Sequence, residues 1–328
     1  MAQEYIGVIG LGNIAIRHRK NLKQLYPDKK VIAMSASGRK IVHQVDDADL
    51  IVSNLTEMVN LKPWFVIIAS PSTSHASFAG QLAGFDIPTL VEKPLVAELK
   101  ELDLVNLPED YVEHKMAVAY CLRYLPSTQI VKKTLQDERL GSIYNAIVIV
   151  GQYLPDWRPN KDFMHCVSAR KDLGGGALLE LSHELDYLQY LFGNIQLKSS
   201  CLRTTKELNL QVEEIADLTL EAANSILCYV HLDFVQKSPI RQCTIIGSKA
   251  RLEWDLLDNR ISIFTAEDRQ EVYNEPNFDK NNMYITMIQD FVAKISGLPN
   301  SCISFSEAAA TVKLIEGAKN HGNWRVQE

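Results

Sequence analysis

No apolar run in this chain approaches the roughly 20 residues needed to cross a bilayer, which argues against a membrane-spanning protein. The N-terminus shows neither a basic n-region nor a signal-like apolar stretch before it enters a strand-like run. The six cysteines (Cys121, Cys166, Cys201, Cys228, Cys243 and Cys302) include no CxxC pair and no metal-like spacing. Free thiols in a reducing cytoplasm are the expected setting. Neither sign of charge dominates, since 34 Lys and Arg against 40 Asp and Glu leave a net charge of −6. That balance argues against nucleic acid or an anionic membrane as a partner. Internal repeats and low-complexity segments are also missing. What remains is an ordinary globular composition, 46% hydrophobic and 23% charged, in 328 residues. That length exceeds what one core usually fills, so two domains are expected.

The first domain, 1–120, reads as a dinucleotide-binding fold. Tyr5-Ile6-Gly7-Val8-Ile9 is a short β-branched run, followed by Gly10-Leu11-Gly12-Asn13-Ile14-Ala15 and then helix formers to Leu25. A strand, a glycine turn and a helix in that order are the context a GxGxxG/A match requires. Gly10 permits the turn, Gly12 lets backbone approach a pyrophosphate, and Ala15 is small enough for helix–strand packing. Asn13 and Ile14 open the helix whose N–H groups face the phosphates. After the second strand, Val31 to Met34, no carboxylate appears before Asp46. Ser35, Ser37 and Arg39 instead offer a clamp for a 2′-phosphate, favouring NADP(H), with NAD(H) as the alternative. The next strand opens onto Ser70-Pro71-Ser72-Thr73-Ser74-His75, whose hydroxyls either line the cofactor or cap the helix beginning near His75. The strand Ile87 to Val91 ends in Glu92-Lys93-Pro94. Proline restricts Lys93 to extended backbone, and the end of a strand in such a sheet faces the ligand crevice. Lys93 is therefore a candidate proton donor, and Glu92 and Lys93 are both expected to touch the cofactor.

From residue 121 the pattern changes to a run of strands near 143–151, 196–205, 214–222, 225–235, 240–247, 249–255 and 260–265. The turns Ala223-Asn224, Gly247-Ser248 and Asp258-Asn259 join neighbours as hairpins. The expected second domain, 121–328, is α+β with a large, mainly antiparallel open sheet and helices near 126–137, 174–192, 281–296 and 306–319. Gly174-Gly175-Gly176 reads as a flexible lead into an amphipathic helix over 177–192, with Leu178, Leu181, Leu185, Leu188 and Phe192 on one face. Glu180, His183, Glu184 and Tyr187 gather on the other, a titratable face suited to lining a crevice. His183 suits acid/base work, and Glu180 three residues earlier can orient its ring. No further ligands at suggestive spacing join them, so no metal is expected. The loop Gly151 to Pro159 is aromatic and proline-rich, making Trp157 and Arg158 candidates for a sugar ring and an anionic group, or alternatively a pinned loop or oligomer contact.

These residues together resemble the Gfo/Idh/MocA family of NAD(P)-dependent oxidoreductases. The resemblance rests on Gly10 to Ala15, Ser70-Pro71 with His75, Glu92-Lys93-Pro94, Arg123 with Pro126, and the Gly174-Gly175-Gly176 helix. It implies a Rossmann domain followed by an α/β domain whose open sheet forms homodimers or homotetramers. It also implies reversible oxidation of a hydroxyl on a sugar, nucleotide sugar or related polyol, with Lys93 and a helix acid–histidine pair at the substrate carbon. Arg123, Tyr187 and Glu184 join the substrate side. The family places Asp and then His four residues on. Here Glu180 precedes His183 by three, and Glu184 occupies the ungapped histidine position. The stretches Leu154 to Pro159 and Leu181 to Tyr187 look like a branch associated with surface-carbohydrate synthesis. A rival reading is a non-catalytic dinucleotide or sugar sensor on the same fold, and a third is an enzyme acting on a non-sugar substrate.

Overall fold

The computed structural model describes residues 4–157 and 162–327. The chain divides into two compact units, one of 1–121 with 281–312, the other of 122–280 with 313–328.

The first unit is a six-stranded parallel sheet. Its strands are β1 (Tyr5–Ile9), β2 (Lys30–Met34), β3 (Leu50–Val52), β4 (Val66–Ile68), β5 (Thr89–Glu92) and β6 (Met116–Ala119), in spatial order β3-β2-β1-β4-β5-β6. Helices α1 (Asn13–Leu25), α2 (Leu55–Asn60), α3 (His75–Gly84) and α4 (Glu109–Lys115) supply the crossovers. Strands β1, β2, β4, β5 and β6 are mostly apolar and buried, as a parallel sheet covered on both faces requires, while the edge strand β3 exposes Leu50 and Ile51. Strand order reverses between β1 and β4, so the turn after β1 and the loop after β4 flank the switch point where such sheets take ligands. Helix α2 starts at Asn54, whose side chain accepts the Glu57 N–H, while Glu57 reaches back to the Ser53 N–H.

The sequence-based boundary assigned everything beyond 120 to the second domain, yet 281–312 belong to the first unit. Helix α8 (Asn281–Ile295) sets Phe291 edge-on against Phe65 at 5.6 Å, and Asn281 exchanges amide hydrogen bonds with Asn21. Ile303 bridges Val118 of β6 and is buried in the same core. Apolar residues late in the chain thus complete the covering of the Rossmann sheet.

The second unit is built on nine strands. These are β7 (Ile143–Gly151), β8 (Gln196–Thr205), β9 (Ile215–Glu221), β10 (Leu227–Asp233), β11 (Ile240–Gly247), β12 (Arg251–Asp255), β13 (Arg260–Phe264), β14 (Arg269–Asn274) and β15 (Asn323–Gln327). Their order is β14-β13-β12-β11-β7-β10-β9-β8-β15. The expected hairpins β9–β10, β11–β12 and β12–β13 are antiparallel, but β10 runs parallel to β7 and β15 parallel to β8. Along β7, Ala146, Val148 and Val150 are buried while Ile147 is 37% exposed, so one face is covered and the other open. Helix α5 (Pro126–Gln136) starts with proline at its first turn, where a missing N–H costs nothing. The single expected helix over 177–192 is two: α6 (Ala177–Glu180) and α7 (His183–Phe192). Helix α9 (Phe305–His321) spans the division between the units.

Candidate active site

In the first unit the glycine turn carries two different requirements. Gly10 has φ +124°, and a Cβ there would stand 2.1 Å from the Ala69 carbonyl oxygen, so β4 itself demands glycine. Gly12 caps α1 in extended backbone, and a Cβ there would meet no atom within 4 Å. The chain has no steric need for glycine at that position, and the backbone there is open to close approach by a ligand. Asn13 and Ile14 follow as the first helical residues, with no side-chain cap and no acid in the first turn to occupy the helix N-terminus. These features fit a dinucleotide diphosphate.

Two residues missed in the sequence tie α1 to its surroundings, Arg19 to this turn and His18 to the end of β5. Arg19, buried in α1, donates from Nε to the Asp46 carbonyl at 2.8 Å and from a terminal nitrogen to the Gly10 carbonyl at 3.3 Å. Burial pushes its pKa down, with Asp47 and Asp46 opposing. His18, also buried, places Nε2 2.7 Å from Glu92 Oε1. The other Glu92 oxygen accepts the Lys93 peptide N–H at 3.1 Å. Glu92 was expected to touch the cofactor; its two carboxylate oxygens are instead committed to His18 and to the lysine's own backbone. Lys93 is half-buried at the end of β5.

After β2, Ser35 is buried, Ser37 and Arg39 are exposed, and the two serine hydroxyls stand 3.2 Å apart. After β4, the Ser70 and Ser74 hydroxyls pair at 2.7 Å, and Ser74 donates to the Pro71 carbonyl at 2.8 Å. Ser74 makes no side-chain cap to α3, so the capping role does not hold. His75 is fully buried, with Nδ1 2.9 Å from the Pro94 carbonyl and Nε2 2.9 Å from the Ser70 carbonyl. Burial pulls its pKa down, against the two carbonyls. With both nitrogens engaged, His75 has none left for a cofactor; it ties the loop after β4 to the corner after β5.

In the second unit the glycine triplet is a rigid fit, correcting the expectation of flexibility. All three glycines are buried. A Cβ on Gly175 would stand 2.5 Å from the Val167 carbonyl oxygen, and one on Gly176, at φ +110°, 2.3 Å from Glu213 Oε1. Glu213, another residue the sequence did not reveal, receives the Leu178 N–H on its carboxylate at 3.1 Å and the Ala177 N–H on its carbonyl at 2.9 Å. Burial raises its pKa, with Lys319 opposing at 3.5 Å.

The face of α7 expected to line a crevice is largely the face laid on the sheet. Glu184 is fully buried and pairs in bidentate fashion with Arg241 of β11, at 2.7 and 3.1 Å. Tyr187 is fully buried with its ring 5.2 Å from that of Trp254 on β12, and burial pushes its hydroxyl pKa up. Neither is placed to meet substrate. Arg123 is likewise committed, holding Asp186 through two hydrogen bonds of 3.0 and 2.7 Å. Glu180 and His183 are half-buried, with Leu181 and Ser182 breaking the helix between them. They are therefore not on successive turns of one helix. Trp157 donates to the Gln152 carbonyl at 3.2 Å and meets Phe234 edge-on at 5.4 Å, the pinned-loop alternative. Arg158 lies outside the described residues.

Residues 5–109 match the model for an oxidoreductase family's NAD-binding Rossmann fold, and 132–320 match its C-terminal α/β domain. An uncharacterised oxidoreductase, sll0816 of Synechocystis sp., is 29% identical over 199 residues, covering 56% of this chain and 52% of that protein. The chain thus aligns with about half the length of that relative. Inositol 2-dehydrogenase 2 of Paenarthrobacter aurescens is 25% identical over 69% of this chain and 68% of its own length. A solved levoglucosan dehydrogenase, in complex with NADH and levoglucosan, superposes with TM-score 0.82 at 18% identity, covering 97% of each chain. No helix among the described residues is long and apolar enough to cross a membrane.

Proposed function

The chain belongs to the Gfo/Idh/MocA oxidoreductase family, and from that membership we propose that it transfers hydride between a nicotinamide cofactor and a carbinol or carbonyl carbon of a sugar, nucleotide sugar or related polyol. The observation that carries this reading is the pairing, within one unit, of a glycine turn open to a ligand at Gly12 with a lysine anchored by buried hydrogen bonds at the end of β5. Similarity to an inositol dehydrogenase supports a carbohydrate-like substrate. Bound nicotinamide would supply hydride exchange at the substrate carbon. Backbone N–H groups of the turn after Gly12 bind the diphosphate, and α1 directs its positive end toward it. Lys93 hydrogen-bonds the reacting oxygen and stabilises the charge that develops on it. His183 and Glu180 are the second unit's candidates for carrying the proton onward, since Glu184 is held by Arg241.

NADP(H) is the preferred cofactor on this reading, because Ser35, Ser37 and Arg39 follow β2 where a ribose-binding carboxylate would stand. NAD(H) is the alternative. Arg39→Asp should weaken NADPH binding and improve NADH binding in a fluorescence titration; an unchanged ratio counts against the preference. A place in surface-carbohydrate synthesis follows from the resemblance of the Leu154 to Pro159 and Leu181 to Tyr187 stretches to that branch. A cytoplasmic setting accords with six cysteines outside any disulfide. Assembly as a homodimer or homotetramer through the open sheet face draws support from Ile147 and Tyr229, register partners on adjacent strands, 37% and 43% exposed.

The test is reduced-cofactor formation from NADP+ or NAD+ with hexoses, myo-inositol, levoglucosan and nucleotide sugars, and the reverse reaction with the keto forms. Turnover with one class supports the proposal. Tight cofactor binding with no turnover across the panel favours the sensor reading.

A further inference from the structure

We propose that Arg19 is a positioning residue for the cofactor's diphosphate, acting from behind the glycine turn: its buried guanidinium supplies a fixed positive charge beside that turn, and this charge, rather than the brace it forms, raises dinucleotide affinity. The proposal rests on the reading of the turn at Gly12 as the diphosphate site. Its geometric basis lies wholly in the first unit. Arg19 is 1% exposed on the second turn of α1, with Nε 2.8 Å from the Asp46 carbonyl and a terminal nitrogen 3.3 Å from the Gly10 carbonyl. The Gly10 N–H donates in turn to the Met34 carbonyl at 2.9 Å. The guanidinium is thus joined to the place where the turn after β1 meets the end of β2.

Both hydrogen bonds end on neutral carbonyls. A neutral side-chain amide can also donate to two carbonyls, whereas a guanidinium stays charged and carries that charge into an interior that penalises it. The place therefore needs donors, and the cation calls for an anion. Asp46 and Asp47, the carboxylates whose charge acts on Arg19, are both exposed, where water and salt screen them. Helix α1 shows the same imbalance: it holds Arg17, Arg19, Lys20 and Lys23 and no Asp or Glu, in a chain of net charge −6. Lys23 is committed to Asp49 at 2.9 Å, and Arg17 lies 4.6 Å over the Tyr284 ring. Of the four cations Arg19 is the buried one, and it is bonded to the glycine turn. From an interior of low dielectric its field reaches a diphosphate with little screening, while the N–H groups of the turn hold that diphosphate in register.

The proposal is tested by fluorescence titration of NADPH and NADH into the unaltered protein and its Arg19 variants, with a thermal melt of each cofactor-free variant confirming folding. Adenosine, which carries no phosphate, is measured alongside by displacement. Arg19→Gln keeps two N–H donors and removes the charge; it should weaken both dinucleotides about tenfold and adenosine less than about twofold. Arg19→Lys keeps the charge and should hold both dinucleotides within about threefold of the unaltered protein. A brace without an electrostatic role predicts otherwise: the amide would preserve affinity, and any loss would fall on adenosine and dinucleotide alike. If Arg19→Gln does not fold, Arg19→Met replaces it in the comparison with Arg19→Lys. Unchanged dinucleotide affinity in the neutral variant, equal losses for adenosine and dinucleotide, or equal losses in the neutral and lysine variants overturns the proposal. An unaltered protein that binds neither dinucleotide refutes the reading of the turn instead, so the two failures are distinct.

Discussion

Removing Asp186 should destabilise the protein far more than a substrate-side role for Arg123 would allow. The Arg123 side chain is 5% exposed and Asp186 0%, and two hydrogen bonds of 3.0 and 2.7 Å join them. Asp186→Leu leaves a buried guanidinium without its counter-charge, a change that typically costs about 3–5 kcal/mol. For a unit of this size each kcal/mol lowers the melting temperature by roughly 2–4 °C. The fall in the second unit's transition should therefore be about 6–20 °C by calorimetry. Replacing both partners, Arg123→Met with Asp186→Leu, removes the stranded charge and should recover most of that loss, because apolar replacements of buried pairs are often neutral. A loss below about 1 kcal/mol for Asp186→Leu, the range of exposed pairs, would refute the structural assignment. So would a double variant no more stable than the single one.

The two glycines of the first turn should separate stability from binding. Gly10→Ala forces a methyl against the Ala69 carbonyl and should lower the melting temperature, whereas Gly12→Ala, with no atom within 4 Å of its Cβ, should melt normally and bind NADPH more weakly by fluorescence titration. On the second sheet, His231 lies 3.0 Å from Asp233 and 2.6 Å from Asp217. The hydrogen bond to Asp233 raises the His231 pKa, against burial, while Asp233 is lowered despite burial by His231, Gln236 and two backbone N–H groups. Stability from His231 is therefore complete below its unfolded pKa of about 6.5 and lost as pH rises through the folded value. That from Asp233 is complete above about 3.9 and lost as pH falls through its folded value. His231→Asn should flatten the decline in melting temperature above about pH 6.5; an unchanged pH profile would contradict the assignment.

The parts of the fold written in local periodicity were legible in the sequence. Residues 143–151, 196–205 and 240–247 form the expected strands, because a sheet covered on one face alternates buried and open positions. Strand β14, Arg-Gln-Glu-Val-Tyr-Asn, was not visible, since it is a polar edge strand with little buried surface to declare it. The break in the helix over 177–192 has no glycine or proline to announce it. It accompanies Glu184 and Asp186, which are drawn into pairs with Arg241 and Arg123, 57 and 63 residues away in sequence. A helical wheel treats such charges as a wet face, whereas here distant arginines make them interior. The same applies to His18 and Glu92, 74 residues apart: neither residue type nor spacing signals the contact. The place of Lys93 just after β5 was legible because proline and the strand end constrain it locally.

The central claim, that Lys93 handles the proton of the reacting hydroxyl, is tested most directly by the kcat of Lys93→Met on the sugar that the panel identifies, measured alongside NADPH affinity. The account predicts a loss of at least about 100-fold in kcat, the usual contribution of a positioned acid or base, with cofactor affinity retained. A kcat within about threefold of the unaltered enzyme would contradict it.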